Sequence, residues 1–120
     1  MILLYNENTY LTNRTDVDKS FLCYNLYMPG GTTSKLYWVY ILLSLSDNKR
    51  YIGFTTGLKL RLKEHFEGRV FSTKYRRPLI LMYAECCLNE ADARRREKYF
   101  KTTDGRRFLA KRLKCYYLEK

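Results

Sequence analysis

The chain has a single histidine, four cysteines with no C-x-x-C spacing, and about half as many acidic as basic residues, 12 against 23. Each scarcity excludes something. A structural zinc site would have to recruit His65 and the scattered thiols of Cys23, Cys86, Cys87 and Cys115, so none is expected. The vicinal pair Cys86-Cys87 cannot close an ordinary strain-free disulfide, and the cysteines read as reduced packing residues. Long apolar runs are also missing. The longest, Leu36 to Leu43, ends at Ser44, well short of the roughly 18 residues that cross a bilayer. The opening Met1-Ile-Leu-Leu-Tyr5 is too short and too little basic for a signal peptide, so the expected location is the cytoplasm. Internal repeats and low-complexity tracts are absent as well.

What is present in excess is positive charge. The formal charge of +11 is unevenly spread: residues 1–35 carry three basic and three acidic side chains, and the whole surplus lies in residues 36–120. Self-repulsion of that size destabilises a compact chain, so it ordinarily answers to a polyanion, with solubility alone as the plainer alternative. At 120 residues the chain is long enough for one core. The division expected is an extension over residues 1–35, loosely ordered and ending in Met28-Pro-Gly-Gly-Thr-Thr-Ser34, followed by one domain over residues 36–120.

Within that domain the patterns sharpen. Tyr37, Val39, Ile41 and Leu43 alternate with Trp38, Tyr40 and Leu42, which predicts a strand covered on both faces. Asp47-Asn48 marks a turn, and Arg50 to Thr55 returns as the second strand of a hairpin. Leu58, Leu62 and Phe66 fall on one stripe of a helix capped by Thr55 or Thr56 and closed by Gly68. A basic loop, 69–78, leads to a third strand, Leu79 to Ala84. Asn89 with Asp92 resembles a cap for a second helix to about Lys101, and Asp104 is the expected cap of a third. The order is β-β-α-β-α-α, an α+β arrangement.

Several residues in this frame carry chemistry. Glu97 shares the stripe of Ala93 and Phe100, where a leucine would be expected; burying a carboxylate there calls for a divalent cation or a close arginine. The ordinary alternative is a surface pair with Lys101 at i,i+4. Arg61 and His65 lie four apart beside the Leu58 and Leu62 stripe, offering a planar fork for phosphate oxygens and an imidazole able to relay a proton. For a lone histidine a boundary role is the commoner one, and the arginine would then lie over apolar surface. Tyr40 and Tyr51 would be unremarked among 12 tyrosines were they not at the two ends of the hairpin. A phenol acts as a base only where cations favour its ionised form. Lys59, Lys74, Arg76, Arg77, Arg94 and Arg95, with Lys35 and Arg96, suit phosphate contacts, each with a solvated surface charge as its alternative.

Trp38-Val39-Tyr40, Tyr51-Ile52-Gly53, Arg61, His65 and Glu97 together resemble the GIY-YIG nuclease domain, most of all its small stand-alone bacterial type. The segment Tyr51-Ile-Gly-Phe-Thr55 followed by Leu58-Lys-Leu-Arg61-Leu-Lys-Glu-His65 matches the Y-I-G-x-T and L-x-x-R-L-x-x-H pattern of that group, and Arg76-Arg77-Pro78 and Ala93-Arg-Arg-Arg-Glu97-Lys98 also look like it. The likeness spans about residues 36–114. Trp38 stands where the first motif has glycine, and no asparagine follows Asn89, where many relatives carry one near the metal. The resemblance implies a three-stranded antiparallel sheet flanked by helices. It also implies a metal-dependent endonuclease, with Glu97 holding Mg²⁺ or Mn²⁺, Tyr40 aided by Tyr51 and His65 as base, and Arg61 stabilising the transition state. The implied partner is DNA, recognised without sequence specificity or by its structure, with an unidentified protein partner left open and no membrane role. The alternative is a non-catalytic nucleic-acid-binding module on the same fold.

Overall fold

The computed structural model describes residues 2–3 and 35–119 of the chain. The expected extension falls almost wholly on residues outside these. Strands β1 (Ile2–Leu3), β2 (Tyr37–Ser44), β3 (Arg50–Thr55) and β4 (Leu79–Cys87) form one antiparallel sheet in the order β1-β4-β2-β3. The three long strands are the expected sheet, and the two residues of β1 add to its edge beside Glu85 and Ala84. Helices α1 (Leu58–Phe66), α2 (Glu90–Phe100), α3 (Thr103–Arg112) and α4 (Lys114–Leu118) complete the domain.

The two-faced alternation of β2 divides the core. Trp38, Tyr40 and Leu42 turn to one side, where Leu58 and Leu62 of α1 cover them with Leu79 and Ala84. Val39, Ile41 and Leu43 turn to the other, against Ala93 and Phe100 of α2, Leu109 of α3 and Leu113. A bulge opposite Ile41 and Leu42 puts an extra residue into β4, and as a result Met82 and Tyr83, adjacent in sequence, both join the second cluster. Burying side chains such as Leu62 and Leu109 contributes roughly 1.5–3 kcal/mol each, so both layers are needed to hold a sheet of this size.

Local chemistry sets the helix ends. Asn89 caps α2 as expected, its side chain accepting from the backbone N–H of Ala91 at 2.8 Å and of Asp92 at 3.3 Å. Two expectations are corrected. The N-cap of α1 is Gly57, without a side-chain cap; Thr55 spends its hydroxyl earlier, accepting from the Gly57 N–H at 3.1 Å. The cap of α3 is Thr102, which accepts from Gly105 N–H at 3.2 Å, while Asp104 lies inside the first turn. The last helical stretch also breaks at Leu113 into α3 and α4.

The end of α1 bears directly on the site. Gly68 takes φ +78°, and its N–H donates to His65 carbonyl while that of Arg69 donates to Glu64 carbonyl, the paired bonds of a Schellman turn. The chain therefore turns back at Gly68, three residues after His65. It then runs to a 3₁₀ turn, Lys74–Arg76, fastened to the β2–β3 turn. Arg76 Nε donates to Asp47 at 2.8 Å and its Nη2 to the Lys49 carbonyl at 3.1 Å, while the Ser44 hydroxyl donates to the Arg76 carbonyl at 2.6 Å. The guanidinium holds the Asp47 carboxyl down at about 2.

Candidate active site

Four of the five expected catalytic side chains converge on the α1 face of the sheet. Tyr40, in the middle of β2, is fully buried and pairs in register with Gly53 of β3. The strand period brings Tyr51 to the same face, its ring centroid 6.3 Å from that of Tyr40. From α1, His65 places Nε2 2.8 Å from the Tyr40 phenol oxygen, and its ring lies 5.0 Å from the Tyr51 centroid. Arg61, one turn earlier, is held by Glu64 at 3.0 Å and also presents its guanidinium to the Tyr40 phenol.

The electrostatics follow from burial. Tyr40 is pushed up to about 12, chiefly because its phenolate would be desolvated; Arg61 opposes that rise without cancelling it. His65 is pushed down to about 4 by burial first and by the Arg61 charge second, so the imidazole is neutral near pH 7. Arg61 is raised from its ordinary value, mainly by the phenol it faces. The resting cluster is a neutral phenol, a neutral imidazole and a fixed cation.

The partner that sequence reasoning did not single out is Thr73. Its hydroxyl lies 2.7 Å from His65 Nδ1, and both residues are fully inaccessible. No periodicity marks it, because it belongs to the loop after Gly68. Glu64, the other partner the sequence reading passed over, stands at i,i+3 from Arg61, a spacing that could have marked the pair.

Glu97 stands apart from this cluster. It lies between Ala93 and Phe100, each 1% exposed, on a helix packed across β2 and β3. Its side chain is 17% exposed, neither sealed in nor turned to bulk water. Lys101 lies 3.5 Å away, the i,i+4 pair weighed from the sequence, and Arg94 lies 3.7 Å away. Among the described residues no hydrogen bond or ion pair joins Glu97 to the other four, and no group of three or more His, Cys, Asp or Glu side chains is arranged for a metal. A single hard carboxylate whose cationic neighbours keep such loose distances nevertheless retains lone pairs for Mg²⁺ or Mn²⁺, which commonly take one or two carboxylates and complete their shell with water and phosphate oxygens. The donor set fits such an ion.

The expected phosphate contacts divide by what they touch. Arg76 is committed to the loop fastening. Arg77 is exposed and donates through Nε to the Lys74 carbonyl at 3.1 Å, and Lys59 is exposed on α1. Lys74 lies 4.7 Å over the Tyr75 ring. Arg94 stacks 3.7 Å over Phe54 and Arg95 pairs with Asp92, both with their side chains more than half exposed. Among the described residues no helix is long and apolar enough to cross a membrane.

The site is thus an antiparallel sheet between two helical layers, with two hairpin tyrosines, an arginine and a histidine clustered on one face. The model of the GIY-YIG catalytic domain matches residues 36–113, and the chain belongs to that family. It is 39% identical over 67 residues to a UPF0213 protein of Staphylococcus haemolyticus, an alignment covering 55% of this chain and 80% of the relative. It is 33% identical over 81 residues to the UPF0213 protein YazA of Bacillus subtilis, covering 67% and 76% respectively. A UPF0213 protein of Bacillus velezensis shares 36% over 84 residues, covering 69% and 78%. No solved structure matches the chain.

Proposed function

We propose that the protein is a metal-dependent endonuclease that hydrolyses DNA phosphodiester bonds. The observation that carries this reading is the buried contact of Tyr40 with His65, faced by Arg61 and flanked by Tyr51, inside the segment, residues 36–120, that bears the entire charge surplus. Glu97 would hold the Mg²⁺ or Mn²⁺ ion, which when bound supplies Lewis-acid stabilisation of charge on the phosphate and the leaving 3′ oxygen. Tyr40, in its ionised form, takes the proton of the attacking water as the new P–O bond forms and the bond to the 3′ oxygen breaks. Arg61 serves twice, favouring the phenolate and stabilising the negative charge that gathers on the phosphoryl oxygens. Tyr51 and His65 hold the Tyr40 ring and its oxygen in place. The exposed Lys59, Arg77, Arg94 and Arg95 supply phosphate contacts, which confer affinity without reading sequence.

The test is nicking of supercoiled plasmid by the purified chain with magnesium, abolished by EDTA and by Glu97→Ala. That variant should keep its circular dichroism spectrum and its salt-dependent DNA binding; nicking at the wild-type rate would remove the assignment. A second reading is favoured by the Lys101 and Arg94 pairing of Glu97 and by the lack of any asparagine after Asn89: a basic module that binds nucleic acid without cutting it. Tight DNA binding with no metal-dependent nicking by the wild type would select it.

A further inference from the structure

The tyrosine, imidazole and hydroxyl in contact at the centre of the site form a closed hydrogen-bond count. Tyr40, His65 and Thr73 are each 0% exposed, so water is not the default partner for any of their protons. Tyr40 Oη lies 2.8 Å from Nε2 and Thr73 Oγ1 2.7 Å from Nδ1, so each ring nitrogen faces one oxygen that can either donate or accept. Distances alone leave two tautomers. The count separates them.

Among the described residues His65 is the one hydrogen-bonding neighbour of the Thr73 hydroxyl. If Nδ1 carried the ring proton, Thr73 would accept it, and its own O–H would be buried without an acceptor. If Nε2 carries the proton, every donor has a place. The Thr73 O–H goes to Nδ1, Nε2–H goes to the Tyr40 oxygen, and the Tyr40 O–H is free to turn toward the partly buried Tyr51, whose ring centroid lies 6.3 Å from that of Tyr40. The Arg61 guanidinium faces the same phenol.

We propose that Thr73 is a positioning residue, whose hydroxyl donates to His65 Nδ1, keeps the ring proton on Nε2 and so makes the imidazole a second donor, beside Arg61, to the oxygen of Tyr40. Two donors aimed at that oxygen favour the phenolate over the phenol, which is the form that accepts a proton from water. The imidazole is then not a proton acceptor from Tyr40. It supports Tyr40's ionised form, and its orientation is fixed by a loop hydroxyl rather than by a carboxylate. The consequence for turnover rests on the endonuclease reading; the tautomer does not.

Long-range ¹H–¹⁵N spectra of the full chain labelled with ¹⁵N-histidine distinguish the two tautomers, and with one histidine in the chain the signals need no assignment. The wild type should show protonated Nε2; protonated Nδ1 would overturn the proposal. Thr73→Val keeps the shape and removes the donor. It should admit a substantial Nδ1-protonated population and lower kcat by about tenfold or more with KM within about twofold, and Thr73→Ser should restore both. Either readout unchanged in Thr73→Val overturns the assignment. A wild type inert toward DNA would end the endonuclease reading separately, and the tautomer comparison would still decide this one.

Discussion

The phenol of Tyr40 lies directly over Gly53, so that a methyl group on Gly53 would overlap Cζ and Oη of the ring. The glycine of the Tyr51-Ile52-Gly53 tripeptide is there for clearance: it is the cross-strand partner of Tyr40, and only hydrogen leaves room for the ring on that face. Gly53→Ala should therefore push the tyrosine off His65 and cost about 1–3 kcal/mol by overpacking, read from the urea midpoint. Nicking should fall by about tenfold or more, in line with loss of a placed proton acceptor. A variant as stable and as active as the wild type would show that the ring position is not required.

Arg61→Ala removes the cation that faces Tyr40 and His65 together. Turnover should fall by at least about 100-fold, as on loss of an electrostatic stabiliser. The His65 pKa should rise, because the Arg61 charge is one of the two causes holding it down. NMR titration of the single imidazole reads the second effect without any substrate.

The rate should depend on alkali. With Tyr40 resting at about 12, its ionised fraction near neutrality is small and grows with pH. Nicking should accelerate by up to about tenfold per pH unit between about pH 7 and about pH 9. Tyr40→Phe should abolish the activity and the slope together, whereas Tyr51→Phe should lower the rate and retain the slope. A flat wild-type profile over that range would remove Tyr40 as the base.

Stability should respond to acid through His65. The folded ring binds its proton at about 4 against 6.5 for the free side chain, so between those values the unfolded chain takes up more protons than the folded one. The contribution of a neutral His65 is complete above 6.5 and is lost as pH falls toward 4. The urea midpoint should fall over this interval in the wild type, and less steeply in His65→Gln.

Arg76 and Arg77, adjacent in sequence, should separate cleanly by experiment. Arg76→Ala removes the fastening between the loop and the hairpin turn and should lower stability by about 1 kcal/mol, with little change in the salt dependence of DNA binding. Arg77→Ala should leave stability alone and reduce the slope of log K against log salt by about one.

How much of this was legible in the sequence depended on whether a signal was local and periodic. The two-faced alternation of Trp38 to Leu43 gave β2 and both halves of the core, and the Leu58 and Leu62 stripe correctly put Arg61 and His65 within reach of the sheet. The cap of Asn89 was readable because its partners are two and three residues on. Thr102 displaced Asp104 as the cap of α3 because either spacing satisfies the propensity, and only the turn geometry chooses. The bulge in β4, the fastening by Arg76 and the hydroxyl of Thr73 were illegible for a common reason. Each depends on where a loop or strand lands relative to a distant element, and nothing in residue type or period encodes that. For Glu97 the sequence offered a carboxylate on an apolar stripe and a pair with Lys101, and the structure contains both at once.

The Schellman turn at Gly68 makes the segment between His65 and Thr73 a spacer of fixed length. One extra residue there adds up to about 3.5 Å of chain, enough to carry the hydroxyl out of reach of the ring. Surface loops usually absorb insertions at little cost. Between these two residues, a change of length should be as damaging as a change of side chain.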